Sequence, residues 1–224
     1  MTNSFPRARV DTPTYRLVPS RFPPISAFET VASAADLELV LELEGWTNDR
    51  LVVERLARLD QSEWVYGVAN ASVVMASFLH AASGGLRFTS GDLGGWYAAT
   101  SIETAVAEVS HHLRREAANA GMPEFRGEYR TYKARIDGEM IDIRGADASH
   151  PGLYSKASYT DSQAFGEATR AAGETGIIFD SVRHVGGTNV VAYRPKRILD
   201  VTQADHYELL VPVVGKIVVR RLAA

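Results

Sequence analysis

The sequence predicts a mixed α+β domain with a helical lead-in, and three observations carry that reading. Strand-like and helix-like stretches follow one another without the regular alternation of a doubly wound sheet. Of 224 residues, 46% are hydrophobic, enough to build one sizeable core. Neither G-x-G-x-x-G nor G-x-x-x-x-G-K-[ST] occurs to mark a nucleotide-binding βαβ unit.

Residues 1–13 are mostly polar and carry Pro6 and Pro13, so they read as a mobile tail. YRLVPSRFPPISAFETV follows as an extended segment punctuated by Pro19, Pro23 and Pro24. One helix is expected over 34–43 behind a Ser33 cap, and another over 49–59 behind Thr47 or Asn48. NASVVMASFLHAA opens a third at Asn70. Residues 14–80 therefore form a helical lead-in packed on a main domain of residues 81–224.

The second half turns to strands. Gly95–Ala99 is a short apolar run between glycines and a helix start. Thr100 and Glu103 form a T-x-x-E capping box, which opens that helix at about Ser101. Its apolar stripe is Ile102, Ala105, Val106, Val109 and Leu113. Glu128–Ile136 alternates as a strand, with Met140–Ile143 its expected hairpin partner through Asp137-Gly138. The stretch from Thr160 to Ala172 has helical composition and stops at Gly173. GIIF, TNVVAYRP and KIVVRRL read as three further strands.

Charge and composition exclude several function classes. A formal net charge of −3 offers no basic surface for nucleic acid. The absence of cysteine rules out disulfides, thiolate catalysis and zinc–thiolate sites. The N-terminal stretch has no apolar h-region and no run approaches 18 apolar residues, so a cytoplasmic protein without membrane contact is expected. H-E-x-x-H and G-x-S-x-G are both missing. His111 and His112 point about 100° apart on a helix and find no third ligand on one face, so no metal is expected.

Five residues stand out for chemistry. Arg87 follows Gly84-Gly85, where backbone can come close to a ligand and a guanidinium can grip phosphate in two parallel hydrogen bonds. Tyr97 offers a flat ring for stacking. Glu108 lies at the edge of its helix's apolar stripe among small side chains, which leaves room for approach. Ser181 sits where the GIIFD strand delivers side chains to a cleft, followed by Arg183 and the Gly186-Gly187 turn. Taken singly, each has an ordinary reading: a turn arginine, a core tyrosine, a surface glutamate, a capping serine. The combination needs explaining.

The chain resembles the RES domain family, named for its Arg, Glu and Ser and found in bacterial toxins that consume NAD+. The resemblance runs through YRLVPSRFPPISAFE and EGWTNDR, through LRFTSGDLGGWYAATSIETAVAEVSHH, and through YTDSQAFGEATRAAGETGIIFDSVRHVGGTNVVAYRP. The family spacing places an aromatic ten residues after the arginine and the glutamate eleven beyond it, matching Arg87, Tyr97 and Glu108. Ser181 fills the serine position, and the lead-in is similar to the family's longer branch. Leu86 stands where a small residue is common, which is expected to loosen the turn before Arg87. Val109-Ser110 also departs from the pattern, with little consequence expected.

The resemblance implies a split sheet like that of the ADP-ribosyltransferase toxins, around a cleft for NAD+ as substrate. It implies catalytic roles for Glu108, Arg87 and Tyr97, with Arg87, Tyr97, Ser181 and Arg183 binding the dinucleotide. A carboxylate suits a reaction with an oxocarbenium-like transition state, as in glycosidases. The acceptor stays open: water, phosphate or a protein side chain, the last making a mono-ADP-ribosyltransferase of a cytoplasmic target. A non-catalytic binding module is the reading from a different class. The implied partner is an Xre-related antitoxin, with dimers within the toxin–antitoxin complex.

Overall fold

The computed structural model describes residues 5–21, 28–33, 35–36 and 53–223. Nine strands of the described residues form one sheet: β1 (Arg7–Ala8), β2 (Thr14–Pro19), β3 (Trp96–Ala99), β4 (Glu124–Ile136), β5 (Met140–Asp142), β6 (Gly176–Asp180), β7 (Thr188–Ala192), β8 (Ile198–Pro212) and β9 (Val218–Arg221). Their order is β1-β5-β6-β7-β3-β2-β4-β8-β9. Only β5 and β6 run parallel; every other neighbouring pair is antiparallel. Helices among the described residues include α1 (Val53–Leu56), α2 (Ala71–Leu79), α3 (Ile102–Asn119) and α4 (Thr160–Ala171). The fold is α+β, as the unalternating pattern predicts.

The sheet nearly divides in the middle. β2 and β4 share six register pairs and β3 and β7 share four, but β2 and β3 meet only at Tyr15↔Ala99. Beyond that point the Tyr97 carbonyl accepts from Arg16 Nη1 at 2.9 Å, a side chain instead of the β2 main chain. The Arg16 guanidinium also lies over the Trp96 ring, 5.3 Å from its centroid. A cation thus sits where a ladder would have continued, and the two half-sheets splay around it.

Among the described residues, three apolar clusters cover the sheet. α2 packs Val74, Met75, Phe78 and Leu79 against Trp96 and Ala98. A second cluster joins Phe88 to Ile141, Ile177, Phe179 and Tyr193. α3 lays Ala105, Val106 and Leu113 over Leu17, Tyr129, Leu209 and Val211. The predicted α3 stripe is therefore the face that packs, with Ile102 and Val109 at its margin.

Several expectations are corrected. The tail reading fails where Arg7–Ala8 pair with Met140–Ile141 and Arg7 forms an ion pair with Glu174; Val10 is buried beyond them. Met140–Ile143 gives a strand, but not a hairpin with β4. Gly138 has φ 109 and Asp137 N–H bonds the Arg197 carbonyl, so the chain turns away to pair with β1 and β6. The α3 cap is Ser101, whose Oγ accepts Thr104 N–H at 3.2 Å, while Thr100 Oγ1 donates to the Thr188 carbonyl. β2 is central to the sheet, so the segment ahead of residue 80 is not wholly helical. Of the two lead-in helices, that over 34–43 lies almost wholly outside the described residues, though Ser33 Oγ accepts Asp36 N–H at 3.2 Å. The one over 49–59 is described only as α1 and the turns after it.

Candidate functional site

A cleft of about 210 Å³ opens where the sheet divides, with Arg16, Arg87, Tyr97, Glu108, Tyr159 and Asn189 among its lining residues. One wall is a tight turn that carries Arg87, and the other is the inner face of α3 with the ends of β6 and β7.

The Arg87 turn is closed by Leu86 N–H to the Thr89 carbonyl at 2.9 Å and the reverse bond at 3.4 Å. Leu86 does not loosen it. Gly85 supplies the entry at φ +66, where a Cβ would stand 2.1 Å from the Thr89 carbonyl oxygen. Main-chain groups of the turn are held from outside. Phe88 N–H donates to Tyr97 Oη at 3.0 Å, Tyr193 Oη donates to the Phe88 carbonyl at 2.9 Å, and Gln163 Nε2 donates to the Leu86 carbonyl at 3.1 Å. α4 comes so close that a Cβ on Gly166 would meet the Phe88 oxygen at 2.0 Å. The Arg87 side chain is 7% exposed. Its Nη1 donates to the carbonyls of Leu153 and Ser155, and its guanidinium stacks 4.9 Å from the Tyr159 ring centre. Burial lowers its pKa from the usual value, with Tyr159 and Glu108 opposing that shift.

Tyr97 presents part of its ring to the cleft while its hydroxyl is enclosed against Phe88 and Thr89. Burial raises that hydroxyl's pKa far enough that it stays protonated throughout the physiological range. The ring can stack on a ligand; the hydroxyl is committed to the turn.

On the opposite wall, Glu108 projects from α3. Its Oε1 accepts from Ser181 Oγ at 2.6 Å and from Asn189 Nδ2 at 2.7 Å. Ser181 Oγ in turn accepts the N–H groups of Arg183 at 3.1 Å and His184 at 2.9 Å. A hydroxyl has one proton and two lone pairs, so Ser181 uses its full capacity inside the protein. His184 Nδ1 lies 2.8 Å from Thr104 Oγ1, which ties the loop back to the start of α3.

A model of the RES domain matches residues 55–211. The chain belongs to the RES domain family. Among curated proteins it is 29% identical over 131 residues to an uncharacterized protein, y4oC, of Sinorhizobium fredii (strain NBRC 101917 / NGR234). That match covers 58% of this chain and 56% of the relative, so the chain spans little more than half of the relative's length. A chain in the crystal structure of the M. tuberculosis MbcT–MbcA toxin–antitoxin complex is similar at 12% identity and a TM-score of 0.48, over 93% of this chain and 89% of that one.

In this RES domain, Arg87, Tyr97 and Glu108 line one cleft. Ser181 bonds Glu108 and is not among the residues that line the cleft. Arg183 is not among the lining residues, though its charge is felt by Arg87 and by both histidines. His112 lines the cleft one turn beyond Glu108, and His111 and His112 sit edge to face with 5.5 Å between ring centres. Among the described residues no group of three or more His, Asp or Glu side chains is placed to hold a metal ion. Nor is any helix of the described residues long and apolar enough to cross a membrane.

Three residues escaped the sequence reading. Arg16 sits in the cleft with Nε buried and unpartnered, its pKa pushed down to about 10 by burial. Tyr159 precedes α4 and stacks on Arg87. Asn189 is the one amide of the TNVVA strand, beside three buried apolar residues, which signals a need for a partner but not which one.

Proposed function

We propose that this RES domain protein cleaves NAD+ at the nicotinamide–ribose bond and acts as the toxin of a toxin–antitoxin pair. The observation that carries the reading is the Glu108 carboxylate, held through one oxygen by two donors in a cleft shared with Arg87. Cleavage of an N-glycosidic bond develops positive charge on the ribose, which a fixed carboxylate stabilises. A fixed dipole or charge in a site that excludes water needs no reorganisation as the charge forms. Arg87, desolvated on one side and already oriented by two carbonyls, suits an anionic oxygen of the substrate. The faces of Tyr97 and Tyr159 suit the flat nicotinamide ring. About 210 Å³ is below the range of roughly 300 Å³ upward for drug-sized ligands, so the enclosed part suits the nicotinamide–ribose half. The remainder of the dinucleotide would lie toward the mouth, and Arg183 is the proposed second phosphate contact.

Purified protein incubated with NAD+ should release nicotinamide, followed by mass spectrometry. The second product identifies the acceptor: ADP-ribose for water, ADP-ribose 1″-phosphate when phosphate is supplied, or a modified protein in lysate. Intact NAD+ under all three conditions rejects the reading. Expression alone should arrest growth, and an Xre-related protein encoded beside it should form a complex in which turnover stops. Full activity with saturating neighbour protein would reject that partner.

A further inference from the structure

We infer that Asn189 is a positioning residue for Glu108, and that with Ser181 it decides which carboxylate oxygen meets the substrate; the inference rests on the proposed reaction. Asn189 is 4% exposed and stands in β7 ahead of Val190, Val191 and Ala192, all buried. Its register partners are Ala99 on β3 and Phe179 on β6, neither with a side-chain polar group. An amide in such surroundings is expensive to bury unless hydrogen-bonded. Its Nδ2 makes that bond to Glu108 Oε1 at 2.7 Å.

Both donors converge on the same oxygen. Ser181 approaches Oε1 from the loop after β6, and Asn189 approaches it from β7. Two hydrogen bonds from different strands fix the position of that oxygen and the rotation of the carboxylate about its last bond. Oε2 makes no hydrogen bond to the described residues and is the oxygen left for the ribose. Asn189 also lines the cleft and Ser181 does not, so the amide forms part of the wall beside the reacting centre. The Glu108 charge acts on Arg87 from the turn and on His111 and His112 from α3, and Arg183 from the loop after β6 acts on the same three groups.

Two variants of the full chain test the inference through nicotinamide release. Asn189→Ala should lower kcat about 10–100-fold with KM within about threefold, the signature of a lost orienting contact. Asn189→Asp replaces the donor by a carboxyl of the same shape. With one proton shared, that carboxyl still donates to Oε1, and activity is retained. Loss of the shared proton leaves two like charges in contact, so kcat should fall on the alkaline side where the parent's does not. A new alkaline limb supports the positioning role; equal losses in both variants with the parent's pH profile would leave Asn189 a packing residue and overturn it. Crystal structures of the parent and Asn189→Ala give an answer independent of turnover. The Glu108 carboxylate should rotate away from its parental position in Asn189→Ala, and an unmoved carboxylate overturns the inference. If the parent releases no nicotinamide, the reaction is wrong while the crystallographic comparison still judges Asn189.

Discussion

The two walls of the cleft are held by different means. On the Arg87 side, side chains bond main chain: Phe88 N–H donates to Tyr97 Oη, Tyr193 Oη donates to the Phe88 carbonyl and Gln163 Nε2 to the Leu86 carbonyl. On the Glu108 side, the functional group itself is met by side chains, Ser181 and Asn189 on a single carboxylate oxygen, with Ser181 held in turn by the Arg183 and His184 N–H groups. The first wall is scaffold whose disturbance moves a backbone turn. The second is a polar relay whose disturbance re-aims one functional group. Changes on the first wall should therefore register in stability as well as binding, and changes on the second in rate.

Glu108→Gln is the sharpest break. It keeps shape but removes the charge, and the loss of one electrostatic contact to a transition state lowers rate about 10²–10³-fold. The thermal midpoint should barely move. A variant as fast as the parent on NAD+ would show that the carboxylate is not the reacting group.

Arg87→Lys comes next. Lysine cannot reproduce the planar fork or the stack on Tyr159, so Lys and Ala variants should both weaken NAD+ binding at least about tenfold. Titration of NAD+ by calorimetry in the Glu108→Gln background reads this without turnover. Equal affinity in parent and variants would assign Arg87 to the scaffold alone.

Tyr97→Phe separates ring from hydroxyl. The ring stays for stacking, but Phe88 N–H loses its acceptor, which costs about 1–3 kcal/mol. For a chain of this length each kcal/mol lowers Tm by roughly 2–4 °C. An unchanged Tm would mean that the hydroxyl does not hold the turn.

The smallest effect belongs to His111. Its pKa is pushed down to about 4, first by burial, then by Arg183, His112 and Arg115, with Glu108 opposing. Its usual value is 6.5, so between pH 6.5 and 4 the unfolded chain binds more protons at this residue than the folded one does. The stability it contributes is complete above about pH 6.5 and is lost as pH falls through 4. The ring is partly exposed, so solvent screening limits the effect to under about 1 kcal/mol. His111→Gln should flatten the fall of Tm over that window, and an unaltered Tm–pH curve would exclude the histidine.

What could be read from the sequence is what is local to one element. Elements with one clean period were legible: the α3 stripe, the apolar β6 and β7, and helix α4 up to Gly173. The longest strand, β8, was not. Its ILDVTQADHYELLVP run has Asp200 at φ 55 and faces two register shifts in β4, so no period of two survives. The cap moved by one residue because Thr100 and Ser101 both suit the role, and Thr100 is drawn to the Thr188 carbonyl. Arg87, Tyr97 and Glu108 could be found from spacing, since each marks one position on one element. Asn189 and Arg16 could not, because their roles depend on which strands become neighbours across more than 80 residues of chain.

The gap between β2 and β3 has a consequence for how such a cleft can change. A cleft built from loop lengths is altered by insertions and deletions, which shift everything downstream. Here the Tyr97 carbonyl is met by the tip of one long side chain, Arg16 Nη1, on the neighbouring strand. At this point the seam between the half-sheets is bridged by a single residue, like a spacer between two plates. A one-codon change at Arg16 would alter that seam with no insertion or deletion in the chain.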